Sequence, residues 1–247
     1  MRAPAHILPR VPGLTRDRAE GSAYEATRAR VEHYFDRTAT RVWERLTSDA
    51  PVSRVRETVR QGRERMRAIM LSRLPDDLTG ARVLDAGCGT GAMTAELAAR
   101  GAHVTAVDIS PALVEIARRR LPRHLHARVT FAAGDMLDPV HGAQDHVVAM
   151  DSLIYYGAGD IAAAMDRLMG RVSGRIVFTV PPRTPLLLAM WQAGKLFPRS
   201  DRSPVMVPQS PARLAAALAA EGVPGRLREI ERVTRGFYIS TCLEVAR

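Results

Sequence analysis

The chain lacks the features that would place it outside the soluble globular class. Its 247 residues include two cysteines, in no CxxC pair or Cys/His cluster, which excludes a disulfide framework. The longest apolar runs, 186–190 and 214–220, are far shorter than the roughly 20 residues that span a bilayer, and no secretory signal is visible. The seven histidines show no HExxH-like spacing. We expect an intracellular, cytoplasmic protein in a reducing compartment, with no metal of its own.

Lysine is nearly absent, since Lys195 is the single lysine among 36 basic residues. The 26 acidic residues leave a net charge of +10, and residues 1–75, with 16 arginines and 9 carboxylates, hold most of the excess. A positive field attracts nucleic acid, an anionic membrane surface or an acidic small molecule. Acidic residues interrupt the basic segments, which argues against the continuous basic face of a nucleic-acid-binding protein: Glu32, Asp36, Glu44, Glu57 and Glu64. We therefore predict no nucleic-acid partner.

The first third of the chain divides into a tail and a helical cap. Residues 1–21 contain prolines and glycines without apolar periodicity, which predicts a flexible tail. Residues 22–75 show helical spacing of apolar side chains, from Tyr24 to about Leu46 and from Ser53 to Leu74. This pattern predicts two amphipathic helices.

After Pro75, short apolar runs alternate with helical segments. The runs predict strands at 82–86, 103–107, 128–132, 145–150 and 174–180, separated by helices at 91–100, 111–120, 159–170 and 186–196. Such alternation is typical of a parallel sheet covered on both faces. Residues 227–233 and 237–245 flank Arg235 and Gly236 and predict an antiparallel hairpin. We therefore predict an α/β fold with a mostly parallel, seven-stranded sheet ending in an antiparallel hairpin.

The strongest local motif is the segment VLDAGCGTG at 83–91, a strand that ends in a glycine turn and opens a helix. Glycines allow a tight turn and a close approach of backbone to ligand. Asp108, at the end of the next strand, is placed to accept hydrogen bonds from the hydroxyls of a ribose. The motif thus predicts a nucleotide-type cofactor.

Two cofactor classes fit the glycine spacing. Gly87, Gly89 and Ala92 also match the GxGxxG/A pattern of dinucleotide sites. Asp85, just before the glycines, disfavours a pyrophosphate and attracts an amino group instead. Asp135, after the third strand, is placed to accept a hydrogen bond from an adenine amino group while Met136 packs on the ring. These carboxylates favour S-adenosylmethionine over NAD.

These motifs resemble the class I S-adenosylmethionine-dependent methyltransferases, whose Rossmann-like sheet ends in such an antiparallel strand. Further segments are similar to the magnesium protoporphyrin IX methyltransferases of chlorophyll and bacteriochlorophyll synthesis: VEHYFDRTA at 31–39, MLSRLP at 70–75, MDSLIYY at 150–156, and KLFP at 195–198 leading to Arg202-Ser203-Pro204. The resemblance implies transfer of a methyl group from S-adenosylmethionine to one propionate of the metalloporphyrin, giving the monomethyl ester and S-adenosylhomocysteine. A methyltransferase for another acidic or apolar acceptor, such as a quinone precursor, is the alternative.

The resemblance also suggests site residues. It implies Tyr34 and Tyr155 as catalytic residues; plant and cyanobacterial relatives tend to carry histidine at the latter position, so we expect Tyr155 to hydrogen-bond a propionate rather than to act through an imidazole. The cofactor residues are Asp85, Gly87, Gly89, Gly91, Asp108, Ile109, Asp135, Met136 and Met150. The substrate-binding candidates are Arg41, Arg183, Trp191 and Arg202, with a lid inserted around 183–207 of a catalytic domain over 76–247.

The expected chemistry and partners follow from this acceptor. A propionate is ionised at neutral pH, so the reaction needs positioning and exclusion of water rather than a strong base. The basic N-terminal third and the apolar substrate lead us to expect peripheral contact with the photosynthetic (chromatophore) membrane. The resemblance further implies contact with the magnesium chelatase subunit that delivers the porphyrin.

Overall fold

A computed structural model describes residues 14–34, 54–185, 187–188 and 205–247 of the chain. Two helices come first, α1 (Leu14–Tyr34) and α2 (Arg54–Leu71). The alternating region then runs β1 (Arg82–Ala86), α3 (Ala92–Ala99), β2 (His103–Asp108), α4 (Pro111–Arg120), β3 (Val129–Ala133), β4 (Gln144–Ala149), α5 (Ala158–Met169) and β5 (Val172–Val180). The described part ends with α6 (Pro211–Glu221), β6 (Arg226–Arg235) and β7 (Tyr238–Ala246).

The seven strands form one sheet in the order β3-β2-β1-β4-β5-β7-β6. The first five strands pair in parallel, whereas β7 pairs antiparallel with both β5 and β6. The chain order reverses beside β1, where the sheet continues on one side to β2 and on the other to β4. In open α/β sheets such a switch point, at the carboxyl ends of the strands, is where ligands bind. The predicted fold class is therefore confirmed, including the terminal hairpin.

Local signals explain where two of the helices begin. Ser110 caps α4 by accepting a hydrogen bond from the Leu113 N–H, and Pro111 occupies the first helical turn. Ser210 and Pro211 begin α6 in the same way, with the Ser210 side chain accepting from the Arg213 N–H. The sequence analysis did not assign α6, because its apolar positions are mostly alanine; its Ser-Pro start is the signal that identifies it.

The core lies on both faces of the sheet. One apolar cluster packs under α5 and α6, with Ile161, Met165 and Phe178 fully buried, and the other lies under α2 and α3. Met66 and Met70 of α2 are fully buried in the second cluster. Tyr238 of the hairpin lies so close to α2 that a Cβ on Gly62 would fall 2.7 Å from its ring. Helix α2 is therefore fixed against the C-terminal hairpin.

The N-terminal region differs from the sequence expectation in its boundaries. Helix α1 begins at Leu14, inside the segment 1–21 that was expected to be a tail, and residues 1–13 lie outside the described residues. The second half of the first predicted helix, after Tyr34, also lies outside them, as does nearly all of the predicted lid. No helix in the described ranges is both long enough and apolar enough to cross a membrane.

Candidate functional site

The glycine turn after β1 is shaped by positive backbone angles and by close packing. Gly87 has φ 86° and Gly89 has φ 54°, a region that side chains disfavour. The N–H groups of Gly87 and Cys88 both donate to the Val107 carbonyl, at 2.8 and 2.9 Å, which ties the turn to β2. A Cβ on Gly87 would lie 2.3 Å from the Ser152 Cβ. The turn therefore leaves room for a ligand only because these positions carry no side chain.

Asp108 is bonded directly to this turn. Its Oδ2 accepts from the Gly89 N–H at 2.8 Å and its Oδ1 from the Ser110 N–H at 3.0 Å. The residue is 8% exposed and lines the cavity described below. Its carboxylate is thus fixed at the end of β2, where the sequence places the ribose acceptor.

Asp85 lies deeper than the other carboxylates of the site. It is 1% exposed, and Thr94 on α3 donates to its Oδ2 at 2.6 Å. Burial raises its pKa to about 7, against the lowering effect of the Thr94 hydrogen bond, and the nearby Asp108 charge adds to the rise. A ligand ammonium group would favour the ionised form of this carboxyl.

Asp135 is covered by the N-terminal helix α1. Its Oδ1 accepts from the Tyr24 hydroxyl at 2.9 Å and from the Leu137 N–H at 2.9 Å, and its Oδ2 accepts from the Arg28 guanidinium at 3.0 Å. The Tyr24 ring stacks on Tyr156, with centroids 5.0 Å apart and an interplanar angle of 24°. A carboxylate accepts about four hydrogen bonds, so Asp135 retains capacity for a ligand donor while it holds α1 in place.

A further carboxylate, Asp151, follows β4, and the sequence analysis did not assign it to the site. Thr179 on β5 donates to its Oδ1 at 3.0 Å, and Tyr238 on β7 donates to the same oxygen at 3.1 Å. Arg63 of α2 forms an ion pair with its Oδ2. Asp151 has φ 56°. Among the described residues, no other residue with a side chain has a positive φ. Its place directly after Met150, at the carboxyl edge of the sheet, is the signal that points to it.

These groups surround one cavity of about 280 Å³ between the sheet edge and helices α1 and α2. Eight of the nine predicted cofactor residues line it: Asp85, Gly87, Gly89, Asp108, Ile109, Asp135, Met136 and Met150. Gly91 does not line it but caps the N-terminus of α3. The buried Ser152 Oγ, whose residue also lines the cavity, has no hydrogen-bond partner in the described part of the chain. Such a hydroxyl calls for a ligand or water partner.

The predicted catalytic and substrate residues are only partly placed by the structure. Tyr155 lines the cavity, and burial raises its pKa, with Tyr34 and Asp151 close enough to raise it further. Tyr34 therefore lies near Tyr155, although it does not line the cavity itself. Arg183 is exposed and also lies outside the lining. Arg41, Trp191 and Arg202 lie outside the described residues. Helix α2 instead contributes Arg60, Arg63, Glu64 and Arg67 to the lining, which the sequence analysis did not anticipate.

Within the described ranges, no cluster of three histidine, cysteine or carboxylate side chains that could hold a metal ion occurs. Cys88, between two glycines of the turn, is buried, and burial raises its thiol pKa. Its small side chain packs in the turn, and no histidine lies among the described residues that line the cavity.

Comparisons with known proteins agree with this geometry. Residues 149–247 match the family model "Magnesium-protoporphyrin IX methyltransferase C-terminus", and residues 83–172 match a methyltransferase domain model. A magnesium-protoporphyrin O-methyltransferase of Rhodobacter capsulatus is 60% identical over 224 residues, which cover 90% of this chain and 98% of the relative. The corresponding enzyme of Synechocystis is 28% identical over 88% of this chain and 95% of its own.

A solved structure of a relative has the same fold. The crystal structure of the Synechocystis magnesium protoporphyrin IX methyltransferase with bound S-adenosylhomocysteine superposes with a TM-score of 0.72 and 28% identity, covering 88% of this chain and 98% of that one. A second crystal structure of the same enzyme, with S-adenosylmethionine, has a TM-score of 0.71. The extent and identity of the Rhodobacter match show that this chain belongs to the magnesium-protoporphyrin O-methyltransferase family.

Proposed function

We propose that the chain transfers the methyl group of S-adenosylmethionine to a propionate carboxylate of magnesium protoporphyrin IX, giving the monomethyl ester. The observation that carries this proposal is the separation of charge around the cavity. The sheet edge supplies Asp85, Asp108 and Asp135, whereas α2 supplies three arginines, Arg60, Arg63 and Arg67, against one carboxylate, Glu64. A cationic donor fits the first side and an anionic acceptor fits the second.

The residues around the glycine turn suit the donor. Beside Gly89 there is open space, since a Cβ there would have nothing within 4 Å, and Ser152, which packs against Gly87, has an Oγ without a hydrogen-bond partner in the described part of the chain. Asp108 would hold the ribose hydroxyls, Asp135 the adenine amino group and Asp85 the ammonium group. S-adenosylmethionine, when bound, supplies a sulfonium methyl group that a carboxylate oxygen takes while the sulfur keeps the bonding electron pair.

The acceptor side suits a carboxylate better than a phenol. A propionate is already ionised at neutral pH, whereas methylation of a phenolic oxygen, as in a quinone precursor, needs a base to remove its proton. No histidine lines the cavity in the described part of the chain, and Asp151 is engaged by Thr179, Tyr238 and Arg63. This arrangement favours the carboxylate acceptor over the alternative.

Tyr155 serves as a hydrogen-bond donor in this proposal. Its buried phenol has a raised pKa, so it keeps its proton at neutral pH and cannot act as a base. It would donate to one propionate oxygen and leave the other to attack. Holding the reacting atoms in line, in a cavity closed by α1 and α2, is worth roughly 7–11 kcal/mol in favourable cases.

Residues beyond the cavity bear on delivery of the substrate. We propose that residues 22–75 act as a cap, that 183–207 form a lid, and that Arg41, Trp191 and Arg202 approach the porphyrin from these segments. We also propose contact with the porphyrin-binding subunit of magnesium chelatase. If the chelatase subunit presents the porphyrin, the KM of this chain for the porphyrin should be lower than for the free porphyrin.

We further propose peripheral contact with a photosynthetic membrane. The net charge of +10 and the exposed Phe237 at the hairpin turn support this contact.

The test of the activity is direct. The purified chain is incubated with methyl-labelled S-adenosylmethionine and magnesium protoporphyrin IX, and the pigments are separated by chromatography. We expect label in the monomethyl ester. As a control, the dimethyl ester of the porphyrin, which has no free propionate, is offered as the acceptor in a separate reaction and should take up no label. Asp108→Ala should abolish the transfer, because the ribose acceptor is lost. Labelling of a quinone precursor with none of the porphyrin would refute the proposal.

A further inference from the structure

We propose that Arg63 binds a propionate carboxylate of the metalloporphyrin and that Asp151 is the positioning residue that holds the Arg63 guanidinium toward the cavity. This inference rests on the proposed function. It differs from the sequence expectation, which sought the carboxylate partners among Arg41, Arg183 and Arg202.

Arg63 is a cation on the acceptor side that a carboxylate at the sheet edge holds in place. It lines the cavity from the middle of α2, and its side chain is 21% exposed. One of its terminal nitrogens pairs with Asp151 Oδ2. A guanidinium has five N–H donors in a planar fork, so a carboxylate partner on one edge orients the group and does not exhaust its donors. Arg60, one turn earlier, pairs instead with Glu57 of its own helix.

Asp151 is itself held on several sides. Its N–H donates to Thr179 Oγ1 at 2.8 Å, and that hydroxyl donates back to Asp151 Oδ1 at 3.0 Å. The Tyr238 hydroxyl donates to the carboxylate from β7. The backbone adopts φ 56°, a conformation that a residue with a side chain keeps only where its surroundings impose it. The carboxylate that receives Arg63 therefore has a fixed direction set by three strands.

The position of this ion pair connects the two halves of the site. Met150 and Ser152 on either side of Asp151 line the cavity, and Ser152 packs against Gly87 of the donor turn. The charges of Asp151 and Arg63 both reach the Tyr155 phenol. The Arg63–Asp151 pair thus adjoins the donor turn through Ser152 and acts on Tyr155, the predicted hydrogen-bond donor to the acceptor.

The test compares two ligands that differ only in their carboxylates, magnesium protoporphyrin IX and its dimethyl ester. Their dissociation constants are measured by porphyrin absorbance for the wild type and for Arg63→Met, with S-adenosylhomocysteine bound. We expect the substitution to weaken binding of the diacid by about tenfold to a hundredfold, the loss typical of a hydrogen bond to a charged group, and to leave the dimethyl ester within about twofold. The wild type should correspondingly prefer the diacid.

Arg65→Met is the matched control. Arg65 lies on the same helix but is exposed and pairs with Glu231 at 3.0 Å, away from the cavity. We expect it to bind both porphyrins as the wild type does. The S-adenosylhomocysteine affinity of each variant reports whether the site is intact. If Arg63→Met loses affinity for S-adenosylhomocysteine, Arg63→Lys is compared with the wild type instead. Lysine keeps the positive charge but not the planar set of N–H donors, so this variant should weaken binding of the diacid but not of the dimethyl ester.

Asp151→Asn tests the positioning role. The amide keeps the size of the side chain but no longer fixes the guanidinium by charge, so we expect kcat to fall about tenfold or more while the porphyrin KM changes by less than about threefold. Three results would overturn the inference. Arg63→Met could lose as much affinity for the dimethyl ester as for the diacid, the wild type could bind both porphyrins equally, or Asp151→Asn could keep its kcat. A wild type that methylates no porphyrin would instead refute the proposed function.

Discussion

Asp85 shows how a single buried carboxyl can link the cofactor site to pH. Its hydrogen bond from Thr94 favours the ionised form, but burial outweighs it and raises the pKa to about 7. Near pH 7 the ligand-free protein therefore holds this group partly protonated. An ammonium group in the cavity would shift it toward the carboxylate, so donor binding and proton release are linked at this residue.

Asp85→Asn should remove a pH-dependent part of the stability. The folded-state pKa lies above the ordinary value of 3.8, so the native state keeps a proton that the unfolded chain has released. The contribution is fully present below about pH 4 and is lost as the pH rises through 7. The free energy of unfolding of the variant, relative to the wild type, should therefore increase by at least about 1 kcal/mol from pH 5 to pH 8 in urea titrations without ligand. Parallel pH curves would contradict this assignment.

Gly87 and Gly89 offer a matched pair of substitutions. Both have positive φ, but a Cβ on Gly87 would meet Ser152 at 2.3 Å, whereas one on Gly89 has nothing within 4 Å. Gly89→Ala should cost only the conformational penalty of about 1–2 kcal/mol. Gly87→Ala should cost at least about 3 kcal/mol, because the backbone at 152 must also move. Ligand-free urea unfolding measures both, and similar losses would show that the turn relaxes around the added methyl group.

At the scale of elements, Tyr24 and Arg28 attach α1 to the sheet edge. Tyr24 supplies both a hydrogen bond to Asp135 and a ring stacked on Tyr156, and Arg28 adds an ion pair. These contacts cover the part of the cavity that Asp135 and Met136 line. The stability of the closed position of α1 therefore sets how readily a bound nucleoside leaves.

Tyr24→Phe should accelerate release of S-adenosylhomocysteine. The phenyl ring keeps the stacking on Tyr156, but the hydrogen bond to a charged carboxylate is lost, at a cost of about 1.5–3 kcal/mol. We expect the dissociation rate constant, measured by stopped-flow displacement, to rise about tenfold. Arg30→Ala is the control, since Arg30 is exposed and its described hydrogen bonds, to Ala26 and Thr27, lie within α1. Equal rates in wild type and Tyr24→Phe would show that α1 does not retain the ligand.

The elements divide into those that the sequence predicts and those that it does not. The alternation of apolar runs located the five parallel strands and the hairpin within two residues, because most of the strands are largely buried apolar runs that turns bound on both sides. The residues predicted to bind the methyl donor could also be named from the sequence, because the glycine turn and the strand ends are local signals. Arg63, Asp151 and Tyr24 were missed, because the hydrogen bonds that join Tyr24 to Asp135, Arg63 to Asp151 and Tyr238 to Asp151 link residues 87 to 111 apart in the chain. No local pattern contains such a contact.

At the scale of the whole molecule, arginines and carboxylates lie both in the site and on the surface. The net charge is +10, and some of the charged side chains form ion pairs, as where Glu244 accepts from Arg73 and Arg175. The hairpin turn carries an exposed phenylalanine, Phe237, beside Arg235. An apolar side chain next to cations is the combination that binds an anionic lipid surface reversibly.

The purified chain should therefore bind vesicles that contain phosphatidylglycerol and not vesicles of phosphatidylcholine alone. Co-sedimentation should fall steeply between about 50 mM and about 0.5 M salt, because screening shortens the range of the field from above 10 Å to a few ångströms. Phe237→Ser should weaken binding about tenfold, the effect of withdrawing one aromatic side chain from the interface. Val140→Ser is the control: Val140 is 78% exposed, comparable to 74% for Phe237, but lies outside the hairpin. Equal effects of the two substitutions, or salt-independent binding, would show that this face does not meet the membrane.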